Sequence, residues 1–197
     1  VIPSLTTFVR RDAFPSDTVT FVHTLTNVGT QSGTFTPTLT LPTPLDGWSY
    51  SFTPNTSFVL AAGATEQITV TATVPGINST GAISGTIKSA TLQVTASSSA
   101  LATADDAVRV LLQPQFSFGA ASISPVSAPP LATVVFTHTL QNTSNGDDRY
   151  TLVITPTAGL QNVTVSPTLP ISVARNGSVD VIVRAQVRPG TLVGPES

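Results

Sequence analysis

The chain has 197 residues, a net charge of −2 and a pI of about 5.5, and only 9% of it is charged, against ~25% in ordinary soluble domains. Without clustered Lys and Arg it is a poor match for nucleic-acid phosphates, and with no Cys it has no disulfides, no thiol catalysis and no thiolate metal sites. No apolar run reaches the ~18 residues needed to span a bilayer, so no membrane span is expected. The polar surface must come from Thr, Ser, Asn and Gln, and Thr and Val favour strands.

Residues 5–11 read as an opening edge strand, and Phe14-Pro15-Ser16-Asp17 as a turn, because Pro fixes φ and Ser and Asp bond the local backbone. In the next strand Val19, Phe21, His23 and Leu25 alternate with Thr20, Thr24 and Thr26, the period of a pleated strand with one apolar face. Strands are then expected at residues 34–41, around Trp48, Tyr50 and Phe52, at 58–60 and at 67–74. A Gly- and Ser-containing crossover at 77–85 leads to two more, near 86–95 and 104–112. That makes about seven strands with turns every 8–12 residues, the pattern of an immunoglobulin-like sandwich.

The strand Phe21-Val22-His23-Thr24-Leu25-Thr26-Asn27 returns 115 positions later (138 − 23) as Phe136-Thr137-His138-Thr139-Leu140-Gln141-Asn142. Self-similarity at a fixed spacing marks a repeated structural unit. The chain is therefore expected to be two tandem immunoglobulin-like β-sandwiches, residues 1–113 and 114–197. In the second, opening strands are expected at 116–118 and 121–123, with Pro125, Pro129 and Pro130 flanking the entry to strand 133–142. Residues 149–155 match 34–40, Val163 and Val165 stand where Trp48 and Tyr50 stand, and 169–173 and 178–187 match 56–60 and 65–74. After Pro189-Gly190 the pattern stops two strands short, so the second sandwich is expected to be incomplete, with open edges that proteins normally avoid. Three readings follow: a shortened chain, a continuation beyond Ser197, or a strand supplied by another chain, which is a known mode of β-augmentation. A chain beginning with Val reads as processed or as a fragment, and a removed export signal would explain it.

The stretch 18–29, together with Gly47-Trp48, Leu60-Ala61-Ala62-Gly63-Ala64-Thr65 and residues 68–75, resembles the bacterial surface-protein immunoglobulin-like repeat, a family described only as a conserved domain of unknown function. It is also similar to immunoglobulin-like modules that accompany glycosidases. The resemblance covers most of both repeats and implies a secreted or wall-associated protein in which such modules act as stalks, spacers or assembly units. In the second copy Asn162-Val163 replaces Gly47-Trp48, a departure from the pattern.

The chemistry-bearing residues are few. His23 and His138 each stand alone on an apolar strand face, where zinc needs three or four converging ligands, so each reads as a core or half-buried imidazole bonded to a neighbouring strand or loop. Asp105-Asp106 and Asp147-Asp148 lack the spacing of a calcium loop and read as solvated turns or strand ends. Lys88 is the single lysine and a weak candidate for an isopeptide bond with Asn27 or Asn78. No catalytic residue, cofactor or metal site is implied. Asn55, Asn78, Asn142, Asn162 and Asn176 head Asn-x-Ser/Thr sequons and are candidate glycosylation sites on exposed loops. Trp48 and Tyr50 are candidate stacking residues for a sugar, although a lone Trp in a small sandwich is first of all a core plug.

The leading expectation is a non-catalytic structural module of an exported cell-surface stalk, filament or adhesin. Its partners would be like subunits or neighbouring domains of the same surface protein, and glycans in the second place. The alternative is a carbohydrate-binding accessory module of a secreted hydrolase, which requires Trp48 or Tyr50 exposed on a flat face.

Overall fold

The computed structural model describes residues 1–6, 9–124 and 128–190. The chain divides into two compact units, Val1–Gln113 and Pro114–Ser197, and both are β-sandwiches. Among the described residues no helix is long and apolar enough to cross a membrane.

In the first unit one sheet holds β1 (Pro3–Leu5), β3 (Thr18–Asn27), β5 (Ser49–Thr53) and β7 (Thr65–Thr73), in the order β1-β3-β7-β5. The opposing sheet holds β2 (Val9–Ala13), β4 (Gly33–Thr40), β6 (Phe58–Leu60), β8 (Ile87–Ala96) and β9 (Leu101–Val110), in the order β2-β9-β8-β4-β6. This is the strand order of an immunoglobulin-like sandwich with its opening strand divided between the two sheets. The expected single strand at 5–11 is therefore corrected. Leu5 pairs antiparallel with Leu25, whereas residues 9–13 run parallel to β9. Splitting the segment lets one stretch of chain cover an edge of each sheet. Residues 7 and 8 lie outside the described residues.

Alternation places the core. In β3, Val19, Phe21, His23 and Leu25 are buried, while Thr18, Thr20 and Val22 face water. They meet Phe35, Ile68, Val70, Leu92 and Val94 in one continuous cluster. Trp48 plugs one end, 3% exposed, with its indole Nε1 donating to the Gly81 carbonyl at 2.9 Å. Gly81 sits in the 3₁₀ turn Thr80–Ala82, capped by the Ser79 hydroxyl. A Cβ there would collide with the Asp46 carbonyl oxygen and press on the indole, so this position accepts no side chain.

The second unit repeats the first sheet. Here β10 (Phe116–Phe118), β12 (Thr133–Asn142), β14 (Leu160–Ser166) and β16 (Ser178–Val187) lie in the order β10-β12-β16-β14, and β11 (Ser122–Ser124) also pairs with β12. The opposing sheet is reduced to β13 (Asp148–Tyr150) and β15 (Ile171–Val173). Among the described residues nothing corresponds to β8 and β9. The effect is local and visible. Residues 149–155 are expected as a strand, but the strand ends at Tyr150. In the first unit residues 35–40 are held by hydrogen bonds to β8, and residues 151–155 have no such neighbour among the described residues. Val153 is 92% exposed. The apolar interior is split into a cluster around Leu140, Ile171, Val173 and Val181 and a smaller one around Ala128, Val134 and Val187. Pro125, expected at the entry to β12, lies outside the described residues.

Candidate functional site

Two side-chain arrangements recur in both units and show what the repeated strand is for. The first is an asparagine lock at its end. Asn27 is fully buried, its Nδ2 lies 2.8–3.2 Å from the carbonyls of Gln31, Leu60 and Ala61, and its Oδ1 accepts from the Gly29 amide. Asn142 is equally buried, donates to the carbonyls of Gly146 and Val173 at 2.9 Å each, and accepts from the Ser144 amide at 2.8 Å. Each asparagine ties the loop after its own strand to the end of an edge strand of the opposing sheet, β6 or β15, and so satisfies buried backbone carbonyls. This overturns Asn142 as an exposed glycosylation acceptor: the amide nitrogen is inside and already bonded. Asn55, Asn78, Asn162 and Asn176 are exposed, and Asn162 also donates to Gln186.

The second arrangement is the histidine. In the first unit His23 Nδ1 lies 3.1 Å from the Thr6 carbonyl oxygen and Nε2 lies 2.8 Å from Asp106 Oδ2, with His23 1% and Asp106 3% exposed. A ring that serves two oxygen acceptors carries two protons, which makes this a buried imidazolium–carboxylate pair. The hydrogen bond from the ring to Asp106 holds the His23 pKa above its ordinary 6.5, against the opposing effect of burial. Asp106 is thus an interior residue of β9, not the solvated strand end expected from its sequence. Its neighbour Asp105 points outward and accepts from the Thr91 hydroxyl.

His138 keeps half of this arrangement. Its Nδ1 lies 3.0 Å from the Gly119 carbonyl oxygen, the equivalent of Thr6, and its ring stacks on Phe118 at 4.7 Å between centroids. Nε2 has no hydrogen-bond partner among the described residues. His138 is half-buried and borders an open apolar groove of about 340 Å³, lined also by Phe136, Leu152, Ile154, Val181 and Val183. The floor of this groove is the same surface that the first unit buries: Phe21, the equivalent of Phe136, is 2% exposed, and Phe136 is half-buried.

The other sequence candidates fall apart as sites. Trp48 is inside, and Tyr50, half-buried, stacks on it at 6.2 Å with its hydroxyl buried. Burial also pushes the Tyr50 pKa up to about 12. Trp48 presents no face to a sugar, and its reading as a stacking residue is corrected, whereas Tyr50 lines an open pocket with Leu39, Leu41, Phe52 and Asn55. Lys88 Nζ bonds Asp46 Oδ2 at 2.8 Å and the Pro44 carbonyl at 2.7 Å, not Asn27, whose amide is committed to its lock. Asp147 accepts from the Arg175 amide, and Asp148 accepts from the Arg149 amide, as turn residues do. Among the described residues no three His, Cys, Asp or Glu side chains converge.

No family model and no curated protein matches the chain. Among solved structures it is similar to the secreted serine protease VesC from Vibrio cholerae, at 13% identity and a TM-score of 0.43, over 95% of this chain and 46% of that one. The chain therefore spans under half the length of VesC. It is also similar to a protein of unknown function from Porphyromonas gingivalis W83, at 14% identity and a TM-score of 0.42, over 93% and 83% of the two chains. A third likeness is to the periplasmic chaperone SfaE, at 11% identity and a TM-score of 0.40, over 96% and 95%.

Proposed function

We propose that the chain is a non-catalytic structural part of an exported surface stalk, filament or adhesin, extended by strand addition at its second sandwich. The uncovered face of that sandwich carries the reading. Phe136, Leu152, Ile154 and Val183 line an open groove, while the corresponding surface of the first unit is closed by β8 and β9. Leaving an apolar sheet face and an unpaired strand edge in water is unfavourable in area and in backbone hydrogen bonds, and it is the geometry that β-augmentation uses. The role is mechanical. A dry sandwich core gives stiffness, and a Thr- and Ser-rich surface with few charges limits unspecific electrostatic contacts. Membership of the bacterial surface-protein repeat family and a location at the cell surface belong to the same proposal. The partners would be like subunits or neighbouring domains of the same protein.

The test is to compare the chain with a version in which residues 87–113 are appended after Gly190. The extended version should be monomeric in sedimentation and should protect the amides of 151–155 from hydrogen exchange. The unextended chain should self-associate or bind a hydrophobic dye. A stable monomer without dye binding, its second sandwich melting as high as its first, would overturn the reading.

A further inference from the structure

We infer that the second sandwich is completed by a β-hairpin that brings an acidic side chain to His138 Nε2. The inference rests on the strand-addition reading above and specifies the occupant of the groove. The two units supply the argument between them. They present the same histidine on the same strand, with Nδ1 turned to the same carbonyl of the opening segment. In the first unit the other nitrogen is met by Asp106, two strands across from β4 in the covering sheet. In the second unit that nitrogen borders the groove without a partner among the described residues.

The covering hairpin of the first unit defines the chemistry required. On β8 the inward residues are Ala90, Leu92, Val94 and Ala96, each buried, and on β9 they include Ala104, Asp106 and Val108. These are small aliphatic side chains in period two with one carboxylate among them. The groove asks for the same. Leu152, Ile154, Val181 and Val183 line it, an apolar lining that accepts aliphatic side chains at alternate positions. Residues 151–155 offer backbone amides and carbonyls to the first strand of the hairpin, as 36–40 do to β8. His138 Nε2 is the ring nitrogen in this lining, whose other polar side chains are Thr155 and Thr157. An apolar hairpin would bury that nitrogen unsatisfied, at the full desolvation penalty. An amide could offer it one neutral hydrogen bond, whereas a carboxylate accepts a charge-assisted one from the doubly protonated ring. Nδ1 already faces an acceptor, so the doubly protonated ring serves both sides, as in the first unit. The occupant is therefore an acidic aliphatic hairpin. A purely apolar ligand or a hairpin that positions no acid at the histidine is disfavoured.

The experiment adds a synthetic peptide of residues 87–110 to the full chain, in parallel with the same peptide carrying Asp106→Asn. Binding is read as hydrogen-exchange protection at residues 149–155, and the ¹⁵N shifts of the His138 ring are followed on the same samples. The Asp peptide should bind at least about tenfold more tightly than the Asn peptide, and only the Asp peptide should bring both ring nitrogens of His138 to the protonated position. In the chain with His138→Leu that preference should vanish, because no ring nitrogen remains to be met. Equal binding of the two peptides to the unaltered chain would overturn the acidic partner and leave strand addition standing. Binding by neither peptide would overturn both.

Discussion

The two sandwiches carry one strand twice and treat it differently. Phe21 and His23 are 2% and 1% exposed; Phe136 and His138, 115 positions on (136 − 21), are half-buried beside an open groove. The strand itself cannot be the cause of the difference. Its pairing with the long strand beside it is equivalent in both copies, Phe21 opposite Val70 and Phe136 opposite Val183, while on the other edge β11 pairs with the second copy. The cause lies across the sandwich, where β8 and β9 cover one copy and nothing described covers the other. A β-strand's pattern specifies which face is apolar; whether that face is dry depends on a second sheet.

The comparison can be broken most severely by removing the paired phenylalanines. Phe21→Ala should cost the first sandwich about 4 kcal/mol, as a large-to-small change in a closed core does. Phe136→Ala should cost the second less than half of that, because water already reaches the ring. Urea unfolding followed by Trp48 fluorescence for the first unit, and by amide exchange in β12 for the second, separates the two. Equal losses would mean that the second face is covered in solution.

Next in size is the ion pair. Asp106→Ala leaves a buried imidazole facing an empty site, and breaking one side of a buried pair costs about 3 kcal/mol. His138→Ala removes a ring with a single hydrogen bond at a half-open position and should cost under about 1 kcal/mol. Comparable costs for the two substitutions would show that the histidines are equivalent after all.

The asparagine locks sharpen the contrast from the other side, since they do not depend on β8 or β9. Asn27→Ala and Asn142→Ala should each cost about 2 kcal/mol, because each removes a buried donor shared by two or more backbone carbonyls. A much smaller loss in the second unit, read by thermal melting of each variant, would mean that its loops are loose as well as its open face.

The smallest effect concerns pH. The folded first unit holds the His23 proton more tightly than the unfolded chain does, because of Asp106. The contribution is therefore fully present below the ordinary value of 6.5 and is lost as pH rises through the raised folded value. The first unit should melt lower on the alkaline side of that window, and Asp106→Asn should flatten the dependence. A melting temperature that climbs with pH there would contradict the pairing.

Much of this architecture was legible in the chain. Alternation in 18–27 and 65–73 marked strands and their inner faces, because side chains on a pleat point to opposite sides in turn. The repeat predicted that the two copies share a sheet order. Trp48 as a core plug was also within reach, from its size and its isolation. The division of 5–11 between two sheets was not, since either edge could accept it and only the presence of β9 decides. Nor was the fate of 151–155, whose residues suit a strand and lack a neighbour to pair with among the described residues. The asparagine locks left one signal, an Asn kept at the last position of both copies of the strand, but an Asn-x-Ser sequon at Asn142 looks the same whether its amide is inside or out.

Local order and inner faces thus come from the residues themselves, through the two-residue period and the turn chemistry of Pro, Gly, Asn and Asp. Partnerships across the sandwich do not. His23 meets Asp106 over 83 positions of sequence, and nothing along the chain distinguishes that aspartate from Asp105 beside it. Which of the two turns inward is set by register, and a shift of one residue would exchange them. The same holds for the second sandwich: its sequence places a histidine among apolar residues, and only the folded sheet shows that the ring meets one carbonyl and leaves its other nitrogen facing an open groove.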